Sequence, residues 1–474
     1  MDADDHNAIR QLPSVDTVLR TPAARAMLEE FGHEEASAAI RAIVAGHRDA
    51  LLKGAAAGGP DCSPDSVAAA ARQYLLARKQ PVLRRVINAT GIILHTGLGR
   101  AWMPECARQA LAGVTGYCNL QQDLTTGRRE HREDCLRQLV RDITGAEDLL
   151  VVNNNAAATL LMLAALARGR EVAISRGELL EIGGSFRLPD IMQESGALLR
   201  EVGTTNKTHL RDYENAITPQ TGLLLKVHKS NYNIVGFTHE VGIGAIAGVG
   251  RARGVPVADD LGCGALVGLE AFGLPHEGTV QESLAAGADL ALFSTDKLIG
   301  GPQGGMIVGR GELIARIRSH PLYRAFRVCK LTLAALEATL RLFKNPDRLV
   351  RTHPLYAMIG KTHQEMEAQA VSLAQAIQAR HTDWMVDVLP EQSFLGGGAL
   401  PDEAMPSFAV GLRSSAIAAG ELALRLRMAA IPVVGRVHDD RLLLDMRTVS
   451  LAEHDDLLAS MESLERHQPP DAGI

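Results

Sequence analysis

Leu292-Phe293-Ser294-Thr295-Asp296-Lys297-Leu298-Ile299-Gly300-Gly301-Pro302-Gln303-Gly304-Gly305 sets a single lysine between small polar residues and a glycine run. Upstream, Gly254-Val255-Pro256-Val257-Ala258-Asp259-Asp260 reads as a strand that ends in a carboxylate and runs into Leu261-Gly262-Cys263-Gly264. A lysine beside a glycine turn is ordinarily a solvated lysine, so Lys297 alone decides little. The carboxylate at the strand end changes its meaning. Pyridoxal phosphate works as an electron sink only while its ring nitrogen stays protonated, which requires an acid facing that nitrogen. A separate lysine must hold its aldehyde. Asp260 and Lys297 provide one of each, and glycines without Cβ suit the tight turn beside a ligand.

A third element points the same way. Leu149-Leu150-Val151-Val152-Asn153-Asn154-Asn155-Ala156-Ala157-Ala158 and the apolar residues to Leu166 read as a short strand, a polar turn and a helix whose first turn is built of alanines. Small residues there leave the free N–H groups and the positive dipole end open to a phosphate. The same pattern also fits an ordinary strand-to-helix crossover.

The pattern along the chain predicts an α/β protein in three parts. Residues 1–80 have helical spacing over Pro22–Phe31 and Ala36–Leu52, separated by Gly32 and followed by a Gly/Pro/Ser/Asp loop from Gly54 to Pro64. Residues 81–330 alternate short β-branched runs (Glu171–Ser175, Leu223–His228, Val255–Ala258) with helical stretches, which predicts a mostly parallel sheet covered by helices. Residues 331–474 begin with a long helix near Lys330–Lys344 and continue as a smaller α/β domain, with strands around a turn at His438-Asp439-Asp440. His467–Ile474 reads as a frayed tail.

These residues and several further blocks resemble bacterial selenocysteine synthases, the L-seryl-tRNA(Sec) selenium transferases, over nearly the whole length. The blocks are Arg85-Val86-Ile87-Asn88-Ala89-Thr90-Gly91 with His95–Arg100, Ser175–Gly184, Glu201–Asn206, Lys226–Tyr232 and His320–Arg327. The resemblance implies a fold-type I pyridoxal-phosphate transferase architecture, with Lys297 as the catalytic, cofactor-bearing lysine and Asp260 as the partner of the ring nitrogen. Asn155, Ala156, Ala157, His228 and Ser294 complete the expected cofactor-binding set. Arg100, Arg324 and Arg327 are expected to form an anion pocket for selenophosphate, with Thr204, Thr205 and Asn231 lining it. Guanidinium forks suit phosphate-like oxygens. By spacing alone, Arg324 and Arg327 simply share one side of a helix.

The implied reaction converts L-seryl-tRNA(Sec) to L-selenocysteinyl-tRNA(Sec) by β-elimination and selenium addition through an aminoacrylyl intermediate. The resemblance further implies that residues 1–80 bind the tRNA and that the assembly is a homodecamer, a ring of dimers. The chain departs from the family's usual residues at Gly97 (commonly Asn), Glu130 (Gly), Cys263 (Ser), Thr295 (Gly) and Cys329 (Asp). These departures leave open a fold-type I lyase or transferase acting on a free small amino acid. A non-catalytic tRNA-binding paralogue is the other alternative, and the intact Asp260 and Lys297 speak against it.

Composition bounds these readings. The 474 residues are 46% hydrophobic and 22% charged, enough for several cores. The uncharged window Leu149–Ala167 carries three asparagines and is no membrane span. The opening Met1-Asp2-Ala3-Asp4-Asp5-His6 is acidic and lacks an apolar signal core, which reads as cytoplasmic. Six cysteines without a Cys-x-x-Cys pair argue against a disulfide framework and a zinc site. The net charge is −6, and residues 1–80 hold nine Lys/Arg against eleven Asp/Glu. Local basic clusters stand at Arg72, Arg78, Lys79, Arg84 and Arg85, and at Arg128, Arg129 and Arg132, but no broad basic field announces a nucleic acid.

Overall fold

A computed structural model describes residues 12–52, 60–79, 81–184, 186–400 and 403–462. The acidic opening at Met1–His6, most of the Gly54–Pro64 loop and the His467–Ile474 tail lie outside the described residues. The chain divides into two compact units, Met1–Arg85 and Val86–Ile474.

The leading unit is helical: α1 (Val15–Leu19), α2 (Pro22–Leu52) and α3 (Pro64–Lys79). Ser14 starts α1 by accepting the Thr17 N–H, and Gly32 breaks the helical path of α2 with φ 79° and ψ 167°. Val18, Met27, Ile40, Val67 and Ala71 form its buried core. Arg72 and Lys79, two members of the first basic cluster, both reach Glu30 at 3.3 Å.

The larger unit opens with β1 (Ile87–Asn88) and β2 (Ile92–Leu94). Its main sheet is built from β3 (Asp148–Val152), β4 (Glu171–Ser175), β7 (Leu198–Val202), β8 (Thr221–Val227), β9 (Val257–Gly262), β10 (Leu290–Ser294) and β11 (Gly305–Gly309). A small pair, β5 (Glu181–Ile182) and β6 (Phe186–Arg187), stands apart from it. The order is β3-β11-β10-β9-β8-β4-β7, and β11 alone runs against its neighbours. β9, β10 and β11 are buried almost end to end, as strands covered on both faces must be. The expected mostly parallel sheet is present. Among the described residues no helix is long and apolar enough to cross a membrane.

A second sheet follows, built from β12 (Trp384–Gly396), β13 (Ala404–Ser414), β15 (Arg436–His438) and β16 (Arg441–Asp445), with β14 (Val433–Val434) pairing β1 beside it. The turn between β15 and β16 falls at Asp439 and Asp440, with φ 48° and 56°, where the sequence predicts it. One feature is invisible to local pattern. β2 joins this distant sheet by pairing with β12, giving the order β15-β16-β13-β12-β2.

That stitching explains the Asn88-Ala89-Thr90-Gly91 block. Asn88 Nδ2 donates to Ile92 O at 2.9 Å, and Thr90 Oγ1 donates to Asn88 Oδ1 at 2.7 Å. Gly91 sits at φ 78°, and a Cβ there would lie 2.4 Å from Asp445 Oδ2. Asp445 is fully buried, its carboxylate taking the hydroxyls of Ser393 (3.0 Å) and Ser407 (2.6 Å) and the Arg447 N–H (3.0 Å). Gly91→Ala is therefore expected to destabilise the protein by about 3 kcal/mol, through backbone strain plus displacement of a buried carboxylate. A urea-midpoint shift below about 0.5 kcal/mol would contradict this account.

Candidate active site

The parallel register brings the sequence's key residues to one end of the sheet. In the β9–β10 ladder Asp260 pairs with Leu292, after which the register shifts so that Phe293 pairs with Gly262. Asp260 thus stands two residues before the end of β9, a little inside the strand end the sequence suggests, and Lys297 follows three residues after the end of β10. Both line a cleft of about 480 Å³ together with Arg100, Asn155, Ala156, His228, Asn231 and Ser294.

Asp260 is buried and held on three sides. Asn155 Nδ2 donates to its Oδ1 at 2.7 Å, Thr159 Oγ1 to Oδ2 at 2.9 Å, and the Gly262 N–H to Oδ1 at 3.1 Å. Burial pushes this carboxyl above its ordinary range, while the three donors and the Lys297 ammonium act in the opposite direction. Thr159 is a functional residue that motif reading missed, although it stands four residues after Asn155 and so shares its helix face.

Asn155 and Thr159 belong to α4 (Asn155–Leu166). Its N-cap is Asn154, whose side chain takes the Ala157 N–H at 2.8 Å. The cap leaves the backbone N–H groups of Asn155 and Ala156 uncapped at the cleft, while Ala157 is not among the lining residues. On the other side, Glu178 is buried and its carboxylate receives the Val227 N–H at 3.1 Å and the Lys226 ammonium at 3.0 Å. This anchors the end of β8 just before His228, whose own N–H donates to Asp260 O at 2.9 Å.

Lys297 is 7% exposed, and its side chain makes no hydrogen bond among the described residues. Its loop is rigidly braced. Thr295 is fully buried and ties the loop across itself, from its Oγ1 to Pro302 O (2.5 Å) and from its N–H to Gly304 O (2.9 Å). Tyr356 donates its hydroxyl to Leu298 O and His353 its Nε2–H to Ile299 O, each at 2.9 Å. Gly300, at φ 65°, allows that approach, since a Cβ there would lie 2.2 Å from His353 Cε1.

The expected anion pocket is only partly assembled within one chain. Arg100, at φ 63°, reaches Asp296 at 2.6 Å beside Lys297, and Asn231 donates to Glu181 O at 2.7 Å; both line the cleft. Arg324 is exposed on the helix Pro321–Phe326 and is not a lining residue. Arg327 lies beyond that helix in extended backbone, bridged to Val152, so the two arginines do not share a helix face as their spacing suggested. Its Nε is buried and unpartnered among the described residues. Thr204 and Thr205 are exposed, and Thr205 lines a separate small hollow with Glu178 and Lys207.

The donor set fits pyridoxal phosphate: a buried carboxylate for the ring nitrogen, an unengaged lysine, and a helix start with uncapped N–H groups. Asn155 Oδ1 and His228 Nδ1 are also buried without partners among the described residues. Fold and site together define a fold-type I pyridoxal-phosphate enzyme.

The comparisons with known proteins narrow this. The family described as L-seryl-tRNA selenium transferase matches residues 86–450, and selenocysteine synthase N terminal matches residues 9–48. L-seryl-tRNA(Sec) selenium transferase of Solidesulfovibrio magneticus is 47% identical, covering 94% of this chain and 95% of that one. Those of Moorella thermoacetica and Haemophilus influenzae are 45% and 42% identical, covering 97% and 96% of this chain and 97% and 99% of theirs. Among solved structures, D-glucosaminate-6-phosphate ammonia-lyase aligns with a TM-score of 0.54 at 21% identity, covering 83% of this chain and 98% of that one, a likeness of fold. The chain belongs to the L-seryl-tRNA(Sec) selenium transferase family.

The bracing of the Lys297 loop is pH-sensitive. Burial holds the His353 imidazole neutral, its pKa lowered from 6.5 to about 4, and the Leu355 N–H donates to Nδ1 at 3.3 Å in the tautomer that Ile299 O requires. A histidine whose folded pKa lies below its unfolded value contributes its full stability above the unfolded pKa. That contribution is lost as pH falls from about 6.5 toward about 4, about 2 kcal/mol of it by about pH 5. Urea midpoints at about pH 7.5 and about pH 5 are expected to fall further for the parent than for His353→Gln. Equal losses would remove His353 from the acid response.

Proposed function

We propose that the protein converts L-seryl-tRNA(Sec) to L-selenocysteinyl-tRNA(Sec) with selenophosphate as the selenium donor. The observation that carries the reading is that Asp260 and Lys297 face one cleft in a chain of this family. When bound, pyridoxal phosphate supplies an electron sink that acidifies the seryl Cα proton and lets the hydroxyl leave. Asp260, fixed by Asn155 and Thr159, keeps the proton on the ring nitrogen. The Lys297 amine takes the Cα proton and later returns it. His228, Ser294 and the start of α4 hold the cofactor's remaining edges and its phosphate. Arg100 and Asn231 bind the anionic donor within the cleft, while Arg324, Thr204 and Thr205, expected to share that role, stand outside it in this chain. Arg327 serves the same anion, and its unpartnered Nε supports the inclusion.

The same reading makes residues 81–330 the cofactor domain and 331–474 a smaller C-terminal domain, with a cytoplasmic enzyme working as a homodecamer. The decisive experiment is single-turnover conversion of seryl-tRNA(Sec) with selenophosphate. Lys297→Ala is expected to abolish borohydride labelling and turnover. Asp260→Asn should keep the label and slow Cα deprotonation by at least about 100-fold. Turnover on free serine without tRNA, or label on another lysine, would overturn the assignment.

The leading unit is proposed to grip the tRNA through shape and a few placed cations. Its charge is not net basic, and Arg72 and Lys79 are partly engaged by Glu30. Removing Met1–Arg85 is expected to leave a folded, yellow protein whose tRNA affinity falls at least about tenfold. The affinity lost should depend on salt less steeply than that of a strongly basic module. Anisotropy titrations across a salt series check this, and equal affinity of the two forms would assign the unit another task.

A further inference from the structure

Glu277 belongs to none of the motifs, yet it is buried at 3% exposure beside the cleft wall. It lies in the loop ahead of the helix Val280–Ala285, and that loop is pinned to the turn after β9. Ala265 and Thr279 form a parallel bridge, and the Val280 N–H donates to Ala265 O at 3.0 Å. The pinning sets Glu277 Oε1 2.6 Å from Cys263 Sγ and 3.7 Å from His228 Nε2. Carboxylate, thiol and imidazole donor atoms all lie within 4.8 Å of one another.

Burying a carboxylate is unfavourable unless charge or strong donors compensate it. The Cys263 thiol is a weak donor, and an uncharged amide oxygen would accept from it equally well. Two imidazoles reward a full negative charge: that of His276, whose protonated form the carboxylate favours, and that of His228, the one at the cleft. At 3.7 Å the contact is electrostatic rather than a hydrogen bond, and it favours a proton on the Nε2 that faces the carboxylate. His228 Nδ1, buried and unpartnered among the described residues, is then left as an acceptor. The His228 backbone is already fixed by Asp260 O, so the carboxylate controls what remains free, the ring's tilt and its proton.

We propose that Glu277 is a positioning residue that holds the His228 imidazole in one orientation at the cofactor cleft, with Cys263 fixing the carboxylate from behind. This rests on the reading of the cleft as a pyridoxal-phosphate site. Glu277→Gln keeps the shape and removes the charge. The test uses the full-length holoenzyme as parent, Glu277→Gln, His228→Ala and the double variant, followed by visible circular dichroism of the bound cofactor and by turnover.

Glu277→Gln is expected to bind the cofactor within about threefold of the parent, to show an altered visible dichroic band, and to lose about tenfold in kcat with KM for seryl-tRNA within about twofold. In the His228→Ala background it should change neither band nor kcat further, because coupled residues are non-additive. A parental band in Glu277→Gln, or effects that add in full to those of His228→Ala, would overturn the proposal. Should Glu277→Gln fail to fold, Cys263→Ala enters the same cycle, with the same two outcomes deciding. A parent that binds no cofactor would instead sink the reading of the cleft, so the two failures are distinguishable.

Discussion

The buried carboxylate of Asp260 is the constraint around which the site is organised. A charge removed from water must be met by donors fixed before any ligand arrives, and here they come from three directions. Asn155 and Thr159 approach from α4, and Gly262 from the end of β9 itself. Satisfying Asp260 therefore sets the position of α4, whose uncapped first turn opens on the cleft. The backbone carbonyl of the same residue holds His228. One residue thus couples the acid, the start of α4 and the imidazole.

The lysine obeys the opposite requirement. It must stay free of protein partners, so its placement depends on the loop rather than on its own contacts. Thr295 ties the loop across itself, and Tyr356 and His353 seize the carbonyls of Leu298 and Ile299 from behind. This gives physical content to one departure from the family's usual residues. Thr295, where glycine is common, is fully buried and adds a hydroxyl bond that glycine could not make. Cys263, where serine is common, likewise retains a donor toward Glu277. Neither residue lines the cleft, so both act through its walls.

The second sheet shows how far apart in sequence a single mechanical unit can be. β2 is the edge strand of a sheet otherwise made of residues beyond 384, and the turn leading into it closes over Asp445. The Asn88–Gly91 block is accordingly structural. Cleft residues Gly397 and Gly398 follow β12 directly, so this junction also delimits the site.

Much was legible from the sequence because the chemistry is local. A strand carrying Asp260 near its end, a lysine before glycines and a strand–turn–helix opening on alanines each carry their meaning within a dozen residues. The α/β alternation and the turn at Asp439 and Asp440 follow from periodicity and positive φ. Tertiary structure alone decided what depends on neighbours far along the chain: the Thr159 bond to Asp260, the His353 and Tyr356 braces, the Glu277 contact with His228 and the pairing of β2 with β12. Spacing even misled for Arg324 and Arg327, because a helix that stops at Phe326 sends the next residue elsewhere. Sequence thus determined which groups could do the chemistry, since side-chain chemistry is intrinsic. Which groups touch was settled only by strand register and burial, which belong to the folded chain as a whole.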